Sequence, residues 1–242
     1  MLFPRRRFRR LCQMNDLMLD HATNRPGVGI LREVFEQRRY ATGFPFHRRA
    51  TVLDVGAHFG YFALFAAQQL AENSRIVCVE PSSDNRRRLT QNLAANRVNA
   101  TVVSVALSDR AGTVELNLAH AHNHSLTRPI DGGRDRTETV PTLTLPQLLD
   151  REQIPRVDFL KMDCEGSEYA ILDATPSEVL DRIGVLSLEF HDTGRPDRTG
   201  NTLRDRFADL GWEVLEFRFF PTRQNLNYGS LVVQNPNHRR RT

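Results

Sequence analysis

A doubly wound α/β sheet is the fold this sequence predicts, on three observations. The run Thr51–Val52–Leu53–Asp54–Val55–Gly56–Ala57–His58–Phe59–Gly60 is an apolar strand that carries an acid, turns on two glycines and opens into the helical stretch Tyr61–Ala71. Beyond it, strand and helix signals alternate instead of segregating, as right-handed crossovers in a mostly parallel sheet require. With 242 residues, 40% of them hydrophobic, the chain has material for one α/β domain with a full core. The expected division is a basic tail and helical extension over residues 1–45, then a single domain over 46–242.

Each element follows from local pattern. In Val28–Arg39, Ile30, Leu31, Val34 and Phe35 recur at helical spacing, which predicts a helix over one flank of the ligand site. After the strand and helix of the glycine run, Arg75–Glu80 reads as a second strand, Ser83–Ala95 as a second helix and Thr101–Leu107 as a third strand. Gly112–Leu118 and Thr139–Leu143 are shorter strands, separated by a loop with Gly132 and Gly133. Val157–Asp163 is a buried strand, Ser167–Leu172 begins a helix, and Val185–Phe190 is another strand. Asn201–Leu210 is helical and stops at Gly211; Trp212–Phe219 and Tyr228–Val233 then close the sheet as an antiparallel pair. No segment repeats.

The formal charge of +4 is concentrated in Arg5, Arg6, Arg7, Arg9 and Arg10 and in Arg239, Arg240 and Arg241. Without interleaved aromatic residues these read as solvated ends, and a nucleic-acid partner is not expected. No apolar run is long enough to span a membrane, and Asn15 and Asp16 interrupt the only stretch that resembles a leader, so neither membrane nor secretion is expected. Cys12, Cys78 and Cys164 cannot form a paired framework and suit reduced thiols in the cytoplasm. Met14, Leu17 and Met18 offer a seat for a second subunit, so a homodimer is a further expectation.

The glycines decide the ligand. A dinucleotide site wants G-x-G-x-x-G, whose second glycine lets the backbone approach a pyrophosphate. Here the spacing is Gly56-x-x-x-Gly60 with Asp54 just before it, which argues against NAD. An acid and a glycine turn suit a ligand bearing an ammonium and a carboxylate. Glu80, at the end of the second strand, stands where an acid accepts hydrogen bonds from ribose hydroxyls. Together the two acids describe S-adenosylmethionine. The blander reading has Asp54 capping the helix and Glu80 facing solvent.

Four blocks now stand in order: Asp54–Val55–Gly56–Ala57–His58–Phe59–Gly60–Tyr61; Val79–Glu80–Pro81; Val105–Ala106–Leu107–Ser108–Asp109; and Leu160–Lys161–Met162–Asp163–Cys164–Glu165–Gly166–Ser167–Glu168. With these blocks the chain resembles the FkbM-type methyltransferases, a branch of the class I S-adenosylmethionine-dependent enzymes. The resemblance implies a Rossmann-like, seven-stranded, mostly parallel sheet and methyl transfer to oxygen of a small molecule such as a sugar, a polyketide or another specialised metabolite. The oxygen is a hydroxyl, with a carboxyl as the variant. It also implies that Asp54 and Gly56, with Ala57, Gly60 and Tyr61 in the same turn, face the methionine part of the cofactor, Glu80 the ribose, and Ser108 or Asp109 the region of the adenine. Pro81 would shape the turn after the acid. Ser108 and Asp109 also fit a plain turn.

Asp163 ends its strand on the same carboxyl edge as Asp54 and is the leading catalytic candidate. Glu189, His191 and Asp192 arrive at that edge from the strand after it, and His191, with an unperturbed pKa near 6.5, is placed to act as general base. The same residues support a second mechanism in which Asp163, Glu189 and Asp192 hold Mg²⁺, which lowers the pKa of the acceptor hydroxyl. Lys161, the only lysine, is expected to form a buried ion pair with Glu189 or Glu165. Glu168 is expected to be a first-turn helix acid favoured by the dipole. His120, His122 and His124 would share one face of an extended segment, spaced ~7 Å apart and so too far for one ion without a bend, and suit a lid that touches the acceptor. Two other functions stay open: a catalytically silent cofactor-binding protein, and a nucleic-acid methyltransferase. Against the latter, the place where an Asn/Asp-Pro-Pro-aromatic turn would stand reads Asp163–Cys164–Glu165–Gly166.

Overall fold

The computed structural model describes residues 5–118, 137–192, 194–220 and 228–238. The N-terminal segment supplies α1 (Arg5–Met14), α2 (His21–Asn24) and α3 (Val28–Phe35). Then come β1 (Thr51–Val55), α4 (Tyr61–Gln69), β2 (Arg75–Val79), α5 (Ser83–Ala95) and β3 (Thr101–Val103). β4 (Ala106–Leu107), β5 (Gly112–Asn117), β6 (Thr137–Leu143), α6 (Leu145–Arg151), β7 (Val157–Met162), α7 (Glu168–Asp173) and α8 (Ser177–Leu180) follow. The chain continues with β8 (Ile183–His191), α9 (Gly200–Asp209), β9 (Glu213–Phe220) and β10 (Tyr228–Gln234). Seven strands form one sheet in the order β3-β2-β1-β7-β8-β10-β9, parallel except for the two antiparallel pairings of β10, with β8 and with β9. The doubly wound sheet with its antiparallel close is therefore as expected.

Period-two alternation sorts the strand residues between two cores. Leu53, Val55, Leu160, Met162, Leu186 and Leu188 pack with α6, α7 and α9 on one side. Val52, Phe159 and Val185 point to the other side, against α3, α4 and the N-terminal residues Phe8, Leu11, Tyr40 and Phe44. By the same alternation Asp54, Lys161, Glu189 and His191 belong to the second side, so the N-terminal layer faces all four.

Three elements differ from expectation. Thr101–Leu107 is not one strand: β3 stops at Val103, opposite Val79 at the end of β2, and Ala106–Leu107 pairs with Thr142 and Leu143 in a separate sheet, ordered β4-β6-β5. The helix expected over Val28–Arg39 ends at Phe35, because Arg38 adopts a left-handed φ of 51° and turns Arg39 and Tyr40 inward. The arginine-rich start, expected as a solvated basic end, is a helix docked through its buried Phe8, Leu11 and Cys12, with Arg5, Arg6, Arg7, Arg9 and Arg10 exposed. His120, His122 and His124, with Arg239, Arg240 and Arg241, lie outside the described residues. No helix among the described residues is long and apolar enough to cross a membrane.

Candidate active site

β1 delivers its backbone to the carboxyl edge and then reverses. The N–H groups of Gly56 and Ala57 donate to Val79 O, both at 3.0 Å, and Gly60 N–H donates to Ala57 O at 2.8 Å. Gly56 has a φ of +75°, and a Cβ on it would stand 1.9 Å from Asp163 O, so only glycine lets β7 pass this close. A Cβ at Gly60, φ +81°, would strike Leu89 at 2.4 Å, where α4 meets α5. Glu80 ties the turn together: its carboxylate accepts from His58 N–H at 2.8 Å, Ser82 N–H at 2.9 Å and the Asn85 side-chain amide at 3.3 Å. Burial pushes the Glu80 carboxyl up to about 7 against these bonds, which favour the ionised form.

A cavity of about 650 Å³, including its mouth, opens on this turn. Gly56, His58, Glu80, Pro81 and Asn85 line one part, and Val79, Val105, Ala106, Leu107 and Leu116 supply an apolar wall. Ile30 of α3 closes it from the N-terminal side, and Asp163, Cys164 and Glu165 form its far end. Of the residues expected to bind cofactor, Gly56, Glu80, Pro81 and Asp163 line this cavity; Asp54, Ala57, Gly60, Tyr61, Ser108 and Asp109 do not. Tyr61 is buried and donates its hydroxyl to Asn24 Oδ1 at 2.9 Å, as part of the packing between α2 and α4. Ser108 and Asp109 bond to each other at 3.0 Å in a turn, and the neighbouring Val105–Leu107 takes the place at the wall.

Asp54 is fully buried and faces Lys161, whose Nζ is 3.2 Å from Asp54 Oδ1 and 3.9 Å from Asp163 Oδ2 and donates to Gly56 O at 2.7 Å. The pair expected with Glu189 or Glu165 is thus replaced, because the parallel register of β1 and β7 sets Asp54 directly opposite Lys161. Burial opposes the ammonium charge, but Asp54 and Asp163 outweigh it and hold the Lys161 pKa above its ordinary value. Lys161 therefore clamps the glycine turn to the end of β7.

Beyond Asp163 lies a cluster of charges. His191 Nε2 is 3.6 Å from both Glu165 and Glu189, and Nδ1 is 3.4 Å from Glu168. Burial opposes its protonation, yet Glu168, Asp163 and Glu165 raise the imidazole to about 10. At neutral pH His191 is therefore a cation here and has no free lone pair with which to take a proton, which corrects the expectation of a base near 6.5. Burial and the charge of Asp163 push Glu189 up to about 8 and Glu165 to about 7. Glu168 accepts from Cys164 N–H at 2.7 Å and Gly166 N–H at 2.9 Å and so braces the turn after β7, a more specific role than a dipole contact.

Three residues that the sequence pattern did not single out enter from the segment before β1. Arg39 reaches Glu189 Oε2 at 2.6 Å and Glu33 at 3.0 Å, with its guanidinium 4.6 Å over the Phe220 ring. Tyr40 donates to Asp163 Oδ2 at 3.4 Å. The only advance signal was the helical spacing that set this segment beside the site.

Asp192 does not join the ligands expected for Mg²⁺: its Oδ1 accepts from Gly200 N–H at 2.9 Å and Tyr169 hydroxyl at 3.2 Å, which anchors the start of α9. Asp163, Glu189 and His191 do offer ligand atoms within 4.8 Å of one another. That set contains a nitrogen, and Arg39 already holds one Glu189 oxygen, so it fits poorly an ion that demands an oxygen octahedron.

The sheet order, the glycine turn and the acid that closes it define a Rossmann-like methyltransferase fold. Residues 54–214 match the family model described as the methyltransferase FkbM domain, and the chain belongs to that family. A curated relative, the AMB antimetabolite synthetase AmbE of Pseudomonas aeruginosa, is 26% identical over 218 residues; the match takes in 72% of this chain and 10% of that protein's length. Among solved structures, a protein ascribed rRNA-methylase activity from Clostridium thermocellum is similar with a TM-score of 0.50 and 12% identity, over 82% of this chain and 93% of that one. The precorrin-6y C5,15-methyltransferase of Geobacter metallireducens has a TM-score of 0.49 and 15% identity, over 82% and 88% of the two chains.

Proposed function

We propose that this chain is an S-adenosylmethionine-dependent O-methyltransferase acting on a hydroxyl of a small molecule of the sugar or polyketide kind. The observation that carries the reading is that Asp163 belongs both to the cavity on the glycine turn and to the charge cluster with Glu189 and His191. A donor site and a proton-accepting site thus share one residue at one sheet edge.

The cavity suits the donor. Its floor at Gly56 is bare backbone, Glu80 stands at the end of β2 where ribose hydroxyls are met, and the wall from Val79 to Leu116 accepts a flat apolar base. S-adenosylmethionine, when bound, supplies an electrophilic methyl group on a sulfonium. The chain's own residues hold and deprotonate the acceptor. Asp163 and Glu189 are the carboxyl groups with acceptor capacity for a hydroxyl proton, while the His191 cation and Arg39 favour the ionised form of Glu189 against its burial and hold it in place. A carboxylate acceptor would meet Asp163, Glu165 and Glu189, so the hydroxyl is favoured over the carboxyl. The antimetabolite synthetase relative supports a specialised-metabolite acceptor. Mg²⁺ forms no part of this reading.

Thermal unfolding with S-adenosylmethionine, S-adenosylhomocysteine and NAD tests the donor: the first two should raise Tm and NAD should not. Transfer of a labelled methyl group to a panel of polyols, polyketides and carboxylic acids, with RNA in parallel, tests the acceptor. Label in RNA, or in carboxylic acids alone, would overturn the proposal.

A further inference from the structure

His191 is set among carboxylates in a way that hydrogen bonding does not explain. Met162 pairs with Leu188 across β7 and β8, so Asp163, the next residue, comes level with Glu189, and His191 follows two residues later on the same face. Nε2 lies 3.6 Å from Glu189 Oε1 and 3.6 Å from Glu165 Oε2, beyond the reach of a hydrogen bond. Yet one ligand atom from each of Asp163, Glu189 and His191 lies within 4.8 Å of the other two. Around a four-coordinate zinc ion, with bonds of about 2.0–2.2 Å to nitrogen and oxygen, neighbouring ligand atoms stand roughly 3.3–3.6 Å apart. The spacing around Nε2 is that of a ligand shell.

Each donor is also held from behind. The other ring nitrogen of His191, Nδ1, is 3.4 Å from Glu168 Oε1, and Glu168 is itself fixed by the N–H groups of Cys164 at 2.7 Å and Gly166 at 2.9 Å. A carboxylate behind a histidine orients the ring and makes it a better metal ligand. Arg39 takes Glu189 Oε2 at 2.6 Å, which leaves Oε1 turned to His191. Tyr40 and Lys161 both approach Asp163 Oδ2, at 3.4 and 3.9 Å, and among the described residues no hydrogen bond or ion pair engages Oδ1. Asp163 lines the donor cavity, and the side chains of Asp163 and His191 are partly exposed, so an ion has a way in.

We infer that Asp163, Glu189 and His191 bind a divalent ion of the zinc type, and that the bound ion switches off methyl transfer by engaging both carboxyls. One nitrogen and two carboxylate oxygens suit an ion that accepts few and mixed donors, whereas Mg²⁺ and Ca²⁺ take oxygen shells of about six to eight. An ammonium group would use the carboxylates alone and leave the braced histidine between them without a purpose; a metal ion uses all three donors. The ion takes the place of the proton that His191 otherwise carries at Nε2. The effect on transfer rests on the O-methyltransferase reading above, in which these carboxyls take the acceptor's proton; the binding of the ion does not.

The test is calorimetric titration of the chelator-treated full chain with ZnCl₂, without donor or acceptor, alongside the visible absorption of the Co²⁺ form. The native protein should show a single site that about a 100-fold excess of Mg²⁺ does not displace. His191→Gln and, separately, Asp163→Asn should each weaken zinc roughly tenfold or more and remove the Co²⁺ bands, while the His120→Gln/His122→Gln/His124→Gln variant should keep both. In the labelled-methyl assay zinc should suppress transfer and chelator should restore it. Unchanged affinity in His191→Gln, displacement by Mg²⁺, or loss of the site in the triple variant overturns the inference, as does transfer that zinc accelerates. Absence of transfer under every condition counts against the O-methyltransferase reading, and the titration then decides the ion site by itself.

Discussion

Replacing Lys161 by methionine removes a single charge at the point where three parts of the site meet. The ammonium lies 3.2 Å from Asp54 Oδ1, donates to Gly56 O at 2.7 Å, and is only 5% exposed, while Asp54 is fully buried. Methionine matches the length of the lysine stem, so the loss is electrostatic and not steric. Removing one member of a buried pair leaves the other uncompensated and costs about 3–5 kcal/mol. For a domain of this size each kcal/mol moves Tm by roughly 2–4 °C, which predicts a fall of about 6–20 °C. The deficit also depends on pH with a definite sign. Burial raises the Asp54 pKa even in the native protein, and without Lys161 it rises further. A raised folded-state pKa confers stability that is present at low pH and lost as pH rises through that value, so the variant's deficit should be smaller at pH 5 than at pH 8. Thermal and urea unfolding at both pH values measure it. A second substitution, Asp54→Asn, should recover most of the stability, because the uncompensated charge goes with it. A single variant within about 1 kcal/mol of the native protein, or a double variant no better than the single one, would refute the clamp.

Gly56→Ala should destabilise the fold by about 2 kcal/mol or more and abolish the Tm rise with S-adenosylmethionine, since the new methyl group lies 1.9 Å from Asp163 O in a left-handed backbone; an intact rise would contradict the cavity floor. Glu80→Gln should weaken S-adenosylmethionine about tenfold by calorimetry, and because the Glu80 pKa stands at about 7, the native protein should lose stability relative to this variant as pH rises from 5 to 8. Activity should climb with pH through about 8, where Glu189 loses its proton, and a limb near 6.5 would instead restore an unperturbed histidine base. His191→Gln should lower kcat about 100-fold with the Kd for S-adenosylmethionine little changed, as measured by single-turnover rates, because His191 is not among the residues lining the donor cavity.

What the sequence revealed of this site follows how far each contact travels along the chain. The glycine turn and Glu80 were legible because their chemistry is local: the residue types, their spacing and the strand ends all lie between Thr51 and Pro81. The break after Val103 was not, since Ser104 is the only polar residue between Val102 and Leu107, and a single serine in an otherwise apolar stretch does not mark a change of partner strand. The Arg39–Glu189 pair joins residues 150 apart in sequence, and no pattern in either segment names the other. The state of His191 was hidden for a related reason. Its type suggested a base, whereas its protonation is set by Glu168, Asp163 and Glu165, which are brought together only when β7 and β8 pair. Lys161 falls between these cases. Asp54 and Lys161 each stand two residues before the chain leaves its strand, Asp54 ahead of Gly56 and Lys161 ahead of Asp163. If two parallel neighbours end level, residues at equal distance from their ends share a face, and an acid then meets a base. Motif blocks on adjacent parallel strands can thus be aligned by their exits, and a charge in one block should be matched first against the other block, before any acid nearer to it in sequence.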